Sequence, residues 1–150
     1  MRLMSRLVCL AVAVAVPALA ASAHSHRHKS LQIVHPWTAA TPSVAAPRAR
    51  ADAAVYMKIK SRSGQPDRLL SATTAVADTV EIVAGKGSSG AREPADTAIV
   101  IPTGQVDLTP TGPHVRLVGV KKRLDAYDTF LLTLIFERAG KVIVEVLVED

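Results

Sequence analysis

Two sets of histidines carry whatever chemistry this 150-residue chain can offer. His114 follows the turn Pro110-Thr111-Gly112-Pro113 and opens the run His114-Val115-Arg116-Leu117-Val118. In an extended strand, residues two apart point the same way. His114 and Arg116 therefore share one face, and Val115 and Leu117 share the other. An imidazole there becomes part of a soft-metal site when a thioether or a second imidazole stands beside it. The neighbour is instead a guanidinium, which has no lone pair to give. It also repels a cation by roughly 4 kcal/mol at about 4 Å and an effective dielectric near 20. The competing reading of His114 is a turn histidine whose ring hydrogen-bonds a nearby backbone group. The second set is His24, His26 and His28, an H-x-H-x-H tract. A free N-terminal amine, two backbone amides and a third-position imidazole form a square-planar Cu(II) or Ni(II) site. A chain starting at His24 or at Ser22 has that arrangement, and one starting at Ala21 does not. His-rich tracts also bind metal on composition alone, and a solvated polar leader is the competing reading.

The segment ahead of that tract reads as an export signal. Arg2 and Arg6 precede the apolar run Leu7 to Leu19, and small residues follow in Ala18-Leu19-Ala20 and Ala21-Ser22-Ala23. This is the layout of a secretory signal peptide over residues 1–23, cleaved after Ala20 or Ala23. A membrane-spanning helix needs about 20 apolar residues, and this run is shorter. The single cysteine, Cys9, lies within the signal, so the mature chain has neither disulfides nor a thiolate ligand. Export to a bacterial type of periplasm fits, with no membrane span after cleavage. The full chain has 18 Lys+Arg and 13 Asp+Glu; without Arg2 and Arg6 the mature balance is 16 − 13 = +3. That charge is dispersed and aromatics are few, which argues against nucleic-acid binding. Lys121-Lys122-Arg123 reads as a solvated turn.

The elements that must position the histidines are strands. Residues 24–30 form a polar, flexible leader. From Leu31 the pattern favours strands. Val55, Met57 and Ile59 alternate with polar neighbours, and so do Val142, Val144, Val146 and Val148, with Glu145 and Glu149 opposite. Thr79 to Val83, Ala98 to Ile101, Val106 to Leu108 and Phe130 to Phe136 are further apolar runs, with Gly and Pro between them. No stretch has helical spacing with caps. Ala39 to Ala54 and Gly85 to Asp96 read as loops. Residues 31–150 thus form one all-β domain, an antiparallel sandwich or barrel. Asp67, Asp107 and Asp128 fall beside turns, and His35 before Pro36-Trp37 reads as packing, so no hydrolytic triad can be argued and the chain is not read as an enzyme.

Several segments, in order, resemble the PCu(A)C periplasmic copper chaperone family. They are His35-Pro36-Trp37, Ala53-Ala54-Val55-Tyr56-Met57, Asp67-Arg68-Leu69-Leu70, Ala75, Val80-Glu81, Val106 through His114, Leu132 through Glu137, and Gly140. The resemblance implies a Greek-key β sandwich, cupredoxin-like in layout. It also implies copper as cargo, chiefly Cu(I), and cytochrome oxidase assembly proteins as recipients. It places a His/Met ligand set at Val83, in the loop around Arg92, Glu93 and Pro94, at His114 and at Arg116. Only His114 is a donor; Val83 and Arg116 are degenerate positions. The implied function is a periplasmic copper chaperone-like protein with most of the ligands missing. The alternative is a metal-free sandwich that binds a protein partner through an exposed apolar patch near the Gly112 turn.

Overall fold

The computed structural model describes residues 25–28, 30–41, 51–85 and 98–150. The signal segment, His24 and most of the two expected loops (residues 42–50 and 86–97, with Arg92, Glu93 and Pro94) lie outside the described residues. The described residues contain no helix. Ten strands follow one another: β1 (Ser25–His28), β2 (Leu31–Ala39), β3 (Ala53–Ser61), β4 (Asp67–Thr74), β5 (Ala77–Val83), β6 (Ile99–Ile101), β7 (Gln105–Leu108), β8 (His114–Val120), β9 (Thr129–Phe136) and β10 (Gly140–Glu149).

They hydrogen-bond into one sheet in the order β5-β8-β3-β2-β10-β9-β4-β6, with β1 added to β2 and β7 to β3. The pairs are antiparallel except β2 with β10. The sheet folds over on itself, so β4 and β5, consecutive in the chain, lie in its two opposite halves. This is the expected cupredoxin-like sandwich, nearly closed into a barrel. The period-two pattern of each strand decides its inner face. Val142, Val144, Val146 and Val148 are all buried, as are Leu132 and Leu134, Val55 and Ile59, and Val115 and Leu117. Each such aliphatic side chain contributes about 1.5–3 kcal/mol on burial. Met57 is part of this core, so its thioether is not offered to the surface.

Two elements differ from the sequence expectation. Residues 25–28 are not a flexible leader but strand β1, paired antiparallel to the start of β2 (His26 opposite Ile33, His28 opposite Leu31). Backbone pairing carries this strand, which has no apolar residue to announce it. Strand β4 was legible only as a turn-side Asp67. A bulge between Leu69 and Ser71 against β9 breaks its alternation, so that Leu70 and Ser71 are both exposed and Ala72 is buried.

Asp67 explains how one end of the sheet closes. It is buried, and its carboxylate accepts from the backbone amides of Arg68 (2.8 Å), Arg138 (2.9 Å) and Ala139 (3.0 Å). One side chain thus ties the start of β4 to the β9–β10 turn. Replacing it by alanine orphans up to three amides, each costing about 1–3 kcal/mol. Asp67→Ala should lower the unfolding free energy by at least about 3 kcal/mol. Urea denaturation with an unchanged slope is the measurement; a loss under about 1 kcal/mol would show that water replaces the carboxylate.

Candidate metal centre on the outer sheet face

The site begins with the register of three strands. Val55 of β3 pairs with Val115 of β8, and Val83 of β5 pairs with His114. Tyr56 pairs with Trp37 across β3 and β2, and Trp37 pairs with Leu147 of β10. Facing residues in a ladder share a face. Leu147, Trp37, Tyr56, His114 and Val83 therefore form one row across the outside of the sheet. Trp37 and Tyr56 have ring centroids 4.9 Å apart, and Tyr56 and His114 6.2 Å apart.

Trp37 reaches this row through a β-bulge. Between the pairs Val34–Lys58 and Trp37–Tyr56, β2 has two residues, His35 and Pro36, where β3 has only Met57. The extra residue lets Val34 and Trp37, three apart, face the same way. His35 takes a positive φ of 52° there. The packing expected of His35 is corrected: its ring is half-exposed and its Nε2 lies 2.9 Å from Glu149 Oε1.

His114 is half-buried, and its Nδ1 lies 2.9 Å from the carbonyl oxygen of Gly112. A carbonyl only accepts, so Nδ1 carries a proton, and in the neutral ring Nε2 keeps its lone pair. The turn reading of the ring is thereby seen, and the same bond leaves Nε2 as a donor; pinning one nitrogen is how proteins orient a metal-binding imidazole. The turn is closed by Gly112 N donating to Thr109 O (3.2 Å) and Thr109 N donating to Pro113 O (2.9 Å). Gly85 packs on it, where a Cβ would come 3.1 Å from Pro113 N, and its φ of +84° also demands glycine.

One row over lie Ala54, Arg116 and Glu81. Arg116 Nη2 donates to Asp52 Oδ2 at 2.7 Å, and Nη1 lies 3.5 Å from Glu81 Oε2. Asp52 Oδ1 also accepts from the Gly119 amide at 3.1 Å. That amide, and then the Arg116 guanidinium, hold the Asp52 carboxyl below its ordinary value, while the hydrogen bond to Asp52 raises Arg116. The expectation of a bare repelling cation is corrected: two carboxylates neutralise the guanidinium and fix it on the face.

The structure thus brings together Val83, His114 and Arg116, the positions expected to form a pocket, with a single donor among them. It does not bring His26 and His28 to them. Those rings lie opposite Ile33 and Leu31, whose side chains point into the core, so they take the inner side of β1, whereas His114 takes the outer side of its strand. His26 Nε2 accepts from the Glu145 amide at 3.3 Å. Among the described residues, no group of three or more His, Cys, Asp or Glu side chains could hold one ion. Among the described residues, no exposed large apolar side chain stands at the Gly112 turn, where an apolar patch is expected. The exposed large apolar side chains among the described residues are Leu70, Val100, Tyr127, Leu131 and Ile143, on other elements. Sequence reading missed Asp52, Trp37 and Tyr56 as parts of this face, because only the strand register reveals them.

Residues 31–148 match the lipoprotein LpqE-like family. The chain belongs to it. Solved structures place it among PCuAC domains. It is 30% identical to the apo PmoF2 PCuAC domain, over 85% of this chain and 95% of that one, with a TM-score of 0.68. For the copper-bound PCuAC domain from PmoF2 the identity is 29%, the coverage 85% and 98%, and the TM-score 0.69. The solution structure of CuI-DR1885 from Deinococcus radiodurans matches at 25% identity over 86% and 83%, with a TM-score of 0.59. No curated protein sequence matches the chain. No helix among the described residues is long and apolar enough to cross a membrane.

The Asp52–Arg116 pair gives a pH prediction with a definite sign. A depressed carboxyl pKa adds stability above its unfolded value, lost as pH falls through the folded one. The carboxyl ¹³C shift of Asp52 should therefore stay that of the anion through neutral and mildly acid pH and titrate below the ordinary aspartate range. Arg116→Gln, which removes the guanidinium, should move the midpoint up. An Asp52 midpoint at the ordinary value would show the pair to be open in solution.

Proposed function

We propose that this is an exported, periplasmic copper-handling protein of the PCuAC class that offers the ion one scaffold imidazole. The observation that carries the reading is His114, with Nδ1 pinned to Gly112 and Nε2 free on the outer face of a fold shared with copper-bound relatives. Imidazole is a neutral, borderline donor that suits both copper oxidation states. One such donor holds copper weakly and exchanges it quickly, which suits a hand-off rather than storage. The remaining donors then come from the molecule that gives or takes the ion, with cytochrome oxidase assembly proteins as the recipients suggested by family resemblance. We read the protein as a carrier and not as an enzyme. The His24–His28 tract is a secondary candidate donor, now with His26 occupied as an acceptor. The Arg116 bridge favours a second reading, a metal-free relative that keeps the scaffold for a protein partner.

Titration of the mature protein with Cu(I) against a chromophoric chelator tests the two readings. Weak uptake that shifts the His114 ring resonances and disappears in His114→Ala, but survives His26→Ala/His28→Ala, supports the first. No uptake in any form leaves the second. The double variant Val83→His/Arg116→Met adds two neutral donors beside His114 and should tighten Cu(I) binding by at least about tenfold. Unchanged affinity would show that the pocket geometry, and not only its donors, has been lost.

A further inference from the structure

The loops at one end of the sheet are locked together and carry a net positive charge. Ser61 N donates to Gly104 O, and Arg62 N donates to Ser30 O, which joins the β3–β4, β6–β7 and β1–β2 turns. Glu137 N donates to Arg68 O, and Arg138 bonds the Gln65 side chain, which adds the β9–β10 turn. Lys60, Arg62, Arg138 and Lys141 stand at this end, against Glu137 and the buried Asp67. Among the described residues these four cations and two carboxylates leave 4 − 2 = +2. Arg62 and Arg138 donate to the neutral amide oxygens of Gln32 and Gln65. Among the described residues no carboxylate pairs with Lys60 or Lys141. At the other end, among the described residues, Asp52, Asp78, Asp125, Asp128, Glu149 and Asp150 stand with Lys121, Lys122 and Arg123, and Asp52 and Asp125 are paired with Arg116 and Arg123.

We propose that the basic end docks on an anionic phospholipid bilayer. Its hairpin tips, Arg62-Ser63-Gly64-Gln65-Pro66, Pro102-Thr103-Gly104 and Glu137-Arg138, carry no aromatic or large aliphatic side chain. A protein partner of comparable affinity would want such anchors at the centre of its contact. Dispersed cations on short polar turns instead suit a sheet of phosphates, where each Lys or Arg adds to the attraction and salt weakens it. The outer face bearing His114 lies along the side of the molecule and stays open. The proposal does not depend on copper binding.

The test uses residues 24–150, which hold every described strand and correspond to PCuAC domains solved on their own. Without Cys9 this chain has no cysteine, so a single environment-sensitive fluorophore can be placed at will. The protein should sediment with vesicles containing phosphatidylglycerol at low salt, and not with phosphatidylcholine alone. A probe on Ser63→Cys should respond to the anionic vesicles, and a probe on Lys122→Cys should not. Lys60→Gln/Arg62→Gln/Arg138→Gln/Lys141→Gln should cut the bound fraction by roughly tenfold or more, while Lys121→Gln/Lys122→Gln/Arg123→Gln stays within about twofold of the parent. Equal binding to neutral vesicles, a responding Lys122 probe with a silent Ser63 probe, or equal losses in both charge variants would overturn the proposal. The probes report on the fully charged basic end, so they decide even where the fourfold variant folds poorly.

Discussion

The register of β2 is the constraint on which the outer face rests. With no bulge at His35–Pro36, the strand would alternate straight through. Val34 faces outward, so Trp37, an odd number of residues on, would then face the core and Thr38 would face solvent. The bulge inverts both. Trp37 joins Tyr56 and His114 outside, and Thr38 becomes fully buried, its hydroxyl without a protein partner. His35 at positive φ and the buried hydroxyl each cost on the order of 1–3 kcal/mol. The regular valine ladder of β10 and its pairing with β9 offset these costs, and the His35–Glu149 contact clips the bulged segment to β10. A fold holding such a kink in its central strand has its stability elsewhere, and the kink's product is the row of rings.

Electrostatics then decide what that row can receive. A guanidinium already stands beside His114, and it is not loose. Asp52 from the approach to β3 and Glu81 from β5 hold it from two sides, so three segments converge on one cation. Any copper ion meeting Nε2 meets a surface whose local charge is balanced without it. In water-exposed surroundings this balance is screened and modest, so it weakens ion binding without forbidding it. The loss of donors at Val83 and Arg116 weighs more than the charge. Neutral donors set soft-ion affinity, and no rearrangement of Arg116 turns it into one.

Much of the scaffold could be read from residue order, and the reasons are physical. Val142 to Val148 and Val55 to Ile59 alternate because one side of each strand is core and the other is water. His114 and Val115 divide between the two faces as period two requires. What escaped reading depends on partners far away in sequence. Asp52 meets Arg116 across 64 residues, and no local pattern encodes a register. Strand β4 hid because a bulge exposes Ser71 and buries Ala72, out of step with Asp67 and Leu69. Strand β1 hid because Ser-His-Arg-His has the composition of a solvated tail; its order comes from pairing with β2, which any sequence can supply.

That pairing changes the meaning of the histidine tract. In a free tail, His26 would lend both its nitrogens to solvent or metal. In β1 it sits where β2 leaves β10 uncovered: β10 pairs with β2 only from Leu147 onward, and the Glu145 amide finds His26 Nε2 instead of a strand. An imidazole accepts through Nε2 with that nitrogen's lone pair. A metal taken up at Nε2 has to displace the Glu145 amide, so binding at this nitrogen opposes the seating of β1. His28, two residues on, shares its side of the strand without any such bond among the described contacts. His26 and His28 are thus two unequal imidazoles tied to the folding of an edge, on the face opposite His114, and they can act with it on one ion only if β1 first leaves the sheet.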